Sequence, residues 1–334
     1  MREVGYREPA LESMVKQDND IEFSIVSGSN EEMLFECIES LYATMSDSHY
    51  AWSLTVTCNA TSPTLAARVQ ASYPSAKVID NPVSRGFAAN HNTVLAASRA
   101  RYLWLLNDDL LILPDTIRTV TEYMDRPENA RVGVVSPRLL NPDGSLQPST
   151  YGFPTMPQLL LVYSGLREHR ITDAILSKVA PIVRPREGSS RFWAHDRTVE
   201  VDTFRGACVA MRMSAVRDVG PMTEVAIVGA EETEWHRRFH RKGWKVVYFA
   251  DASVIHYGSQ TVREGGTNMY PEYLKGALYF FRTGSTRASY TAFCTALMGV
   301  LGVRTAIAMA RRDKSKISAA KRFAAVAWDG LSGR

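Results

Sequence analysis

The chain has 334 residues, 45% of them hydrophobic and 22% charged, enough to bury one large core or two modest ones. Its net charge of +4 is too small to argue for a nucleic-acid partner. Cys37, Cys58, Cys208 and Cys294 stand far apart with no C-x-x-C pair, which disfavours a zinc site or disulfide framework and suits a reducing compartment.

Residues 1–20 are polar and mixed in charge, without the apolar run of a signal peptide, and are expected as a loose tail or a peripheral helix. Ile21 to Ser27 then reads as a strand, and Asn30 is placed to cap a helix carrying Met33, Leu34, Cys37, Ile38 and Leu41. Ser53 to Cys58, rich in β-branched residues, is a second strand. Leu65 to Tyr73 is a helix, Ala76 to Asp80 a third strand, Phe87 to Arg99 a helix and Tyr102 to Leu106 a fourth strand. Pro114 sits where a helix tolerates it, in the first turn. Arg131 to Pro137 is a fifth strand, followed by loops rich in Pro, Gly and Ser near 141–155 and 181–190. Strands separated by single helices imply a parallel sheet covered on both faces, and the unbroken apolar run of Tyr102 to Leu106 fits a central strand. A helix from Glu231 to about Lys242, stopped by Gly243, precedes a strand and an apolar run ending at His256. Beyond Met269 the chain reads mainly as helix.

The central strand runs into Asn107-Asp108-Asp109, where ligands of such sheets bind. Adjacent carboxylates repel and are costly to desolvate; a divalent ion such as Mg²⁺ or Mn²⁺ answers both costs, with phosphate oxygens completing its shell. A polar turn explains the pair equally simply. After the third strand, Arg85 offers a cation for a phosphate, Gly86 a tight turn, and Asn90 and Asn92 amides at a helix start. Glu231 and Glu232 open the late helix, where the helix dipole alone would favour them, and Glu234 and Arg238 are spaced for an ordinary ion pair. No G-x-G-x-x-G follows the first strand and no G-x-x-x-x-G-K-[ST] occurs, which weakens dinucleotide-dehydrogenase and P-loop readings.

In this order, FSIVSGSNEEMLFECIESL, NPVSRGFAANHN, LWLLNDDLLILPDTI, SPRLLNPDGSLQPS and GAEETEWHRRFHRKGWKVVYFADASVIHYGSQT resemble the blocks of family-2 glycosyltransferases of the GT-A fold, notably bacterial rhamnosyltransferase-like members. The resemblance spans Ile21 to Thr261. It implies a Rossmann-like, mostly parallel α/β sheet flanked by helices, with a helical C-terminal extension, and an inverting, metal-dependent transfer from a nucleotide-diphosphate sugar. By position it implies Asp109 and His256 as ligands of Mg²⁺ or Mn²⁺, Asp108 near the ribose or diphosphate, and Glu232 or its neighbour Glu231 as general base. The aspartate that usually ends the second strand is here Cys58, so base contacts fall to Ser27, Ser29 or Asn59, with Arg85, Gly86 and Asn90 around the diphosphate. Glutamate replaces the usual aspartate of the acidic pair. Tyr151, Trp193 and Arg238 are acceptor candidates, and Phe153 and Phe192 could stack on sugar or simply pack.

The domain reading is a tail (1–20), a catalytic domain (21–265, its nucleotide half ending at 136) and a helical C-terminal region (266–334). Thr291 to Ala310 is long and apolar, broken by Arg304 and followed by Arg311, Arg312, Lys314, Lys316, Lys321 and Arg322. It reads either as a helix lying on an anionic membrane or as a packed hairpin with a solvated basic face. The partners implied are a dTDP-, UDP- or GDP-sugar, dTDP-rhamnose being favoured by resemblance, and a saccharide or polyprenyl-linked acceptor of cell-wall or surface polysaccharide synthesis. The enzyme would sit at the inner face of the cell membrane; homo-oligomerisation is left open. The competing readings are a nucleotidyltransferase, against which the acidic VSGSNEEM loop speaks, and an inactive nucleotide-sugar-binding protein.

Overall fold

The structure is a computed structural model that describes residues 19–28, 30–62, 64–164, 195–225, 231–258 and 270–332. It is a mixed α/β fold built on a nine-stranded, mostly parallel sheet. Strands β1 (Ile21–Ser27), β2 (Trp52–Asn59), β3 (Lys77–Asn81) and β4 (Tyr102–Asn107) form its parallel half, in the order β3-β2-β1-β4. Helices α1 (Glu31–Met45), α2 (Leu65–Ser72) and α3 (Phe87–Ala97) make the crossovers. The Asn30 side chain accepts the Met33 N–H at 3.1 Å, the cap expected from its position. The strands are added on one side as far as β3 and on the other side from β4, and β1 and β4 run parallel, so their carboxyl ends form the switch point where such sheets bind ligands.

The second half of the sheet departs from a wholly parallel pattern. After β4 come β5 (Leu110–Ile112), α4 (Thr116–Asp125), β6 (Val132–Leu140), β7 (Thr150–Tyr151) and α5 (Met156–Ser164). Then follow β8 (Val199–Glu200), β9 (Thr203–Phe204), β10 (Cys208–Arg212), α6 (Met213–Val219), α7 (Glu231–Arg241) and β11 (Lys245–His256). β10 inserts antiparallel between β4 and β6. β11 pairs parallel with β6 and antiparallel with β5. The tight turn at Asp108 lets β5 start at once, a strand too short for periodicity to reveal. Pro114 lies before α4, not in its first turn: Asp115 takes the capping position at φ 63.

Alternation along β4 divides the core. Tyr102, Trp104 and Leu106 pack with α1 and α4 on one face, and Leu103 and Leu105 with α3, α6 and α7 on the other. A third apolar cluster joins α5 to α8 (Tyr270–Gly284), α9 (Arg287–Ala310) and α10 (Lys314–Ser332). α9 and α10 form the packed hairpin, yet one α9 face stays in solvent, with Val303 63% and Ile307 49% exposed. By length and composition α9 could cross a membrane, with a mean hydropathy of 1.7 over its most apolar window.

Candidate active site

Three backbone connections assemble the site at the carboxyl end of β4. The Asn107 N–H donates to the Ala207 carbonyl at 2.9 Å, bringing the turn before β10 against the acidic turn. The Tyr257 N–H donates to the Asp109 carbonyl at 3.0 Å, and His256 pairs with Leu110. The end of β11 is thereby laid over Asp109.

Asp109 and His256 are buried, 7% and 2% exposed. The His256 Nδ1 lies 2.6 Å from the Gln147 Oε1, an acceptor, so Nδ1 carries the hydrogen and donates it. In the neutral ring Nε2 then carries a lone pair, and it stands 3.3 Å from Asp109 Oδ1. Neither atom has a hydrogen-bond partner. Two buried acceptors turned toward one another are unfavourable unless a proton or a metal cation lies between them. Ligands about 2.1 Å from an ion and at right angles to each other stand about 3 Å apart, so the spacing suits a small divalent cation. The described residues contain no cluster of three or more His, Cys, Asp or Glu side chains, so these two would need outside oxygens, such as phosphate, to complete a shell.

Asp108 turns toward β1, where its Oδ2 accepts the Gly28 N–H at 3.2 Å. Burial pushes its carboxyl up to about 6, reinforced by the neighbouring Asp109 charge and opposed by hydrogen bonds from Ser27 and Gly28. Ser27 is buried at the end of β1; Ser29 lies outside the described residues.

The loop before α3 is braced from below. The Asn59 amide grips the Arg85 backbone at two points, accepting its N–H at 2.8 Å and donating to its carbonyl at 3.0 Å. Asn90 is buried and donates to the carbonyls of Arg85 and Gly86 while accepting from Asn81 at 2.7 Å. Asn92 holds Met222 and Glu224. The amides of Asn59 and Asn90 thus support the loop before α3, and Asn92 ties α3 to Met222 and Glu224. Gly86 caps α3 with extended backbone (φ −64), and the exposed Arg85 guanidinium meets only the Thr93 hydroxyl, at 3.3 Å, among the described residues.

Glu231 is buried, 5% exposed. Glu232 lies beside Gly206: a Cβ built there would be 3.6 Å from its Oε1 and 3.9 Å from the Phe87 ring. Gly206 adjoins Ala207, so Glu232, the Arg85–Phe87 loop and the β4 terminus converge. Burial raises the Glu232 carboxyl above its ordinary 4.5, partly offset by the Gly206 N–H and the Arg205 charge. Arg205 donates to the Tyr151 hydroxyl at 2.9 Å, and β7 pairs with β9 next to it, which brings Tyr151 to the same rim.

Arg238 does not join this group. Its guanidinium is spent on Glu234 Oε2 (3.0 Å) and the carbonyls of Val219 (3.0 Å) and Pro221 (2.6 Å), so as an acceptor-binding residue it is corrected to a structural clamp. Phe153 packs on Phe280 with ring centroids 5.6 Å apart, the packing role. Trp193 and Phe192 lie outside the described residues. Sequence reasoning assigned no role to Gln147, Arg205 or Gly206. Gln147 lies within the SPRLLNPDGSLQPS segment, and the apolar run Cys208–Met211 could have marked a buried strand bringing the RGA turn to the site.

Comparison with known proteins bears on the fold and the family. Residues 11–168 match the Glycosyl transferase family 2 profile. An N-acetylglucosaminyl-diphospho-decaprenol L-rhamnosyltransferase of Mycobacterium tuberculosis, represented in two strains, is 24% identical over 262 residues, covering 73% of this chain and 81% of the relative. The fold resembles the mannosyltransferase PcManGT of Pyrobaculum calidifontis, solved with GDP-Man and Mn²⁺ (TM-score 0.50, 12% identity, 95% and 88% of the two chains). It also resembles GalNAc-T7, solved with UDP, GalNAc and Mn²⁺ (TM-score 0.50, 12% identity, 71% and 44%). Residues 11–168 thus carry a Glycosyl transferase family 2 domain on a GT-A fold, and the chain is a glycosyltransferase similar to a rhamnosyltransferase.

Proposed function

We propose that this glycosyltransferase moves a sugar from a nucleotide-diphosphate donor to an acceptor hydroxyl with inversion, using Mg²⁺ or Mn²⁺ held by Asp109 and His256. The observation that carries the reading is the pair of opposed acceptors, Asp109 Oδ1 and His256 Nε2, 3.3 Å apart and otherwise unpartnered. The fold neighbours bound to Mn²⁺ support the choice of ion, and the L-rhamnosyltransferase relative favours a rhamnosyl donor. A bound ion would supply positive charge against the departing diphosphate. Arg85, held by Asn59, adds a second positive charge on the other side of the β4 terminus. Asp108, with Ser27 and Gly28, lines the nucleotide side.

Glu232 takes the acceptor proton. The hydroxyl oxygen bonds to the anomeric carbon as the bond to the diphosphate oxygen breaks, and the proton ends on the carboxylate. One base suffices, and its raised proton affinity suits it to the task. Glu231, its neighbour, is the alternative base. Tyr151 and Arg205 flank Glu232 on the acceptor side. The relative acts on a decaprenyl-diphosphate-linked sugar, and by likeness a lipid-linked or saccharide acceptor is assigned here. The uncharged exposed face of α9 around Val303 and Ile307, followed by exposed Arg311, Arg312, Lys314, Lys321 and Arg322, supports peripheral contact with an anionic membrane surface.

The test is nucleotide release from dTDP-, UDP- and GDP-sugars with Mg²⁺, Mn²⁺ or EDTA. Slow metal-dependent release from one donor, lost in Asp109→Ala, is the expected result; release indifferent to metal and to Asp109 would overturn the reading.

A further inference from the structure

Asn141 to Gln147, in the segment NPDGSLQ, forms a tight excursion after β6. Gly144 turns it with φ +79, Asp143 accepts the Ser145 N–H at 2.9 Å, and the Gln147 N–H returns to the Leu139 carbonyl at 2.9 Å. The Gln147 amide is then held at both ends. Its Nε2 donates to Asn141 Oδ1 at 3.0 Å and to the His256 carbonyl at 3.4 Å. These two acceptors fix which end is nitrogen, so Oε1 is the atom that faces His256 Nδ1 at 2.6 Å. Gly258 lies against this amide, a Cβ there standing 3.5 Å from Gln147 Nε2, and its φ of +82 is the conformation that calls for glycine.

We propose that Gln147 is the positioning residue of His256. It holds the hydrogen on Nδ1, turns the Nε2 lone pair onto Asp109, and so sets the affinity of the site for its cation. This rests on the reading of Asp109 and His256 as a metal pair. A ligating histidine needs its second nitrogen to donate to a fixed acceptor, and loss of that acceptor costs about 10- to 100-fold in metal affinity. Without Gln147 the ring could carry its hydrogen on Nε2 and hydrogen-bond Asp109 directly, which would close the site against a cation.

The experiment is a Mn²⁺ titration followed by electron paramagnetic resonance at pH 8, with long-range ¹⁵N–¹H spectra of the His256 ring. It compares wild type, Gln147→Glu, Gln147→Met, Gln147→Leu and Asp109→Ala. Wild type and Gln147→Glu should show the Nδ1–H tautomer and bind Mn²⁺ within about threefold of each other. Gln147→Leu and Gln147→Met should bind about 10- to 100-fold more weakly, with the Nε2–H tautomer now populated; the two apolar variants guard against one failing to fold. Unchanged affinity and tautomer in an apolar variant, while Asp109→Ala loses Mn²⁺, would overturn the role of Gln147 alone. If wild type binds no Mn²⁺, the metal reading itself falls. The tautomer would then decide whether Gln147 orients the ring at all.

Discussion

At the scale of single residues, the site is a balance between burial and charge. Glu232 is held above the ordinary carboxylate range because its surroundings disfavour the ionised form. A base must be ionised to accept a proton, so activity should fall as pH drops through a midpoint above 4.5. Glu232→Gln should lower kcat by about 10²- to 10⁴-fold. A pH–rate profile of donor cleavage with saturating Mg²⁺ checks both, and wild-type activity unchanged down to pH 4 would contradict the assignment. Much at this scale was legible: a D-D step after an apolar strand and an acidic helix start are local signals. The amides of Asn59, Asn90 and Asn92 were not, because their partners are backbone atoms of loops that only folding brings near. Gln147 was hidden for the same reason, acting on a residue 109 positions away.

At the scale of elements, the helix that carries Glu232 is tied to the C-terminal helices through one buried side chain. Arg237 of α7 donates to the Phe280 carbonyl and the Thr283 hydroxyl, both at 2.6 Å, and its guanidinium lies 3.9 Å from the Phe280 ring centroid. It occupies the space where a Gly284 Cβ would stand. Gly284→Ala should expel the guanidinium and destabilise the fold by roughly 3 kcal/mol, the size of a broken buried charged network. In urea unfolding the double variant Arg237→Leu/Gly284→Ala should be more stable than additivity allows; strict additivity would contradict the contact. Nothing in the sequence linked Arg237 to Gly284. The parallel half of the sheet, by contrast, was readable throughout, because each strand and crossover helix there announces its own period. The antiparallel insertion of β10 was not, since pairing order is a tertiary choice.

For the whole molecule, two buried histidines couple stability to pH. Burial holds His91 and His236 down at about 3 from an ordinary 6.5. Each is neutral in the fold and charges on unfolding, so the stability they contribute is present above about 6.5 and is lost progressively as pH falls toward 3. Between pH 7 and pH 5 the loss should be about 2 kcal/mol per histidine. Protonation of the raised Asp108 and Glu232 carboxyls opposes this over the same range, so urea midpoints should fall by less than the two histidines alone dictate, and a rise on acidification would contradict burial of both rings. The exposed α9 face predicts binding to anionic vesicles that weakens with salt. A sedimentation assay in which Arg311→Glu/Arg312→Glu binds as tightly as wild type would count against that surface.

The proposed site needs Asp109 and His256 to hold a divalent ion while Glu232 drives inverting transfer. Proton NMR of donor cleavage in Mg²⁺, read before the released sugar mutarotates, tests it most directly. The expected first product has inverted anomeric configuration, and its formation stops with EDTA, in Asp109→Ala and in His256→Ala. A first product of retained configuration, or cleavage that survives those three losses, would contradict it.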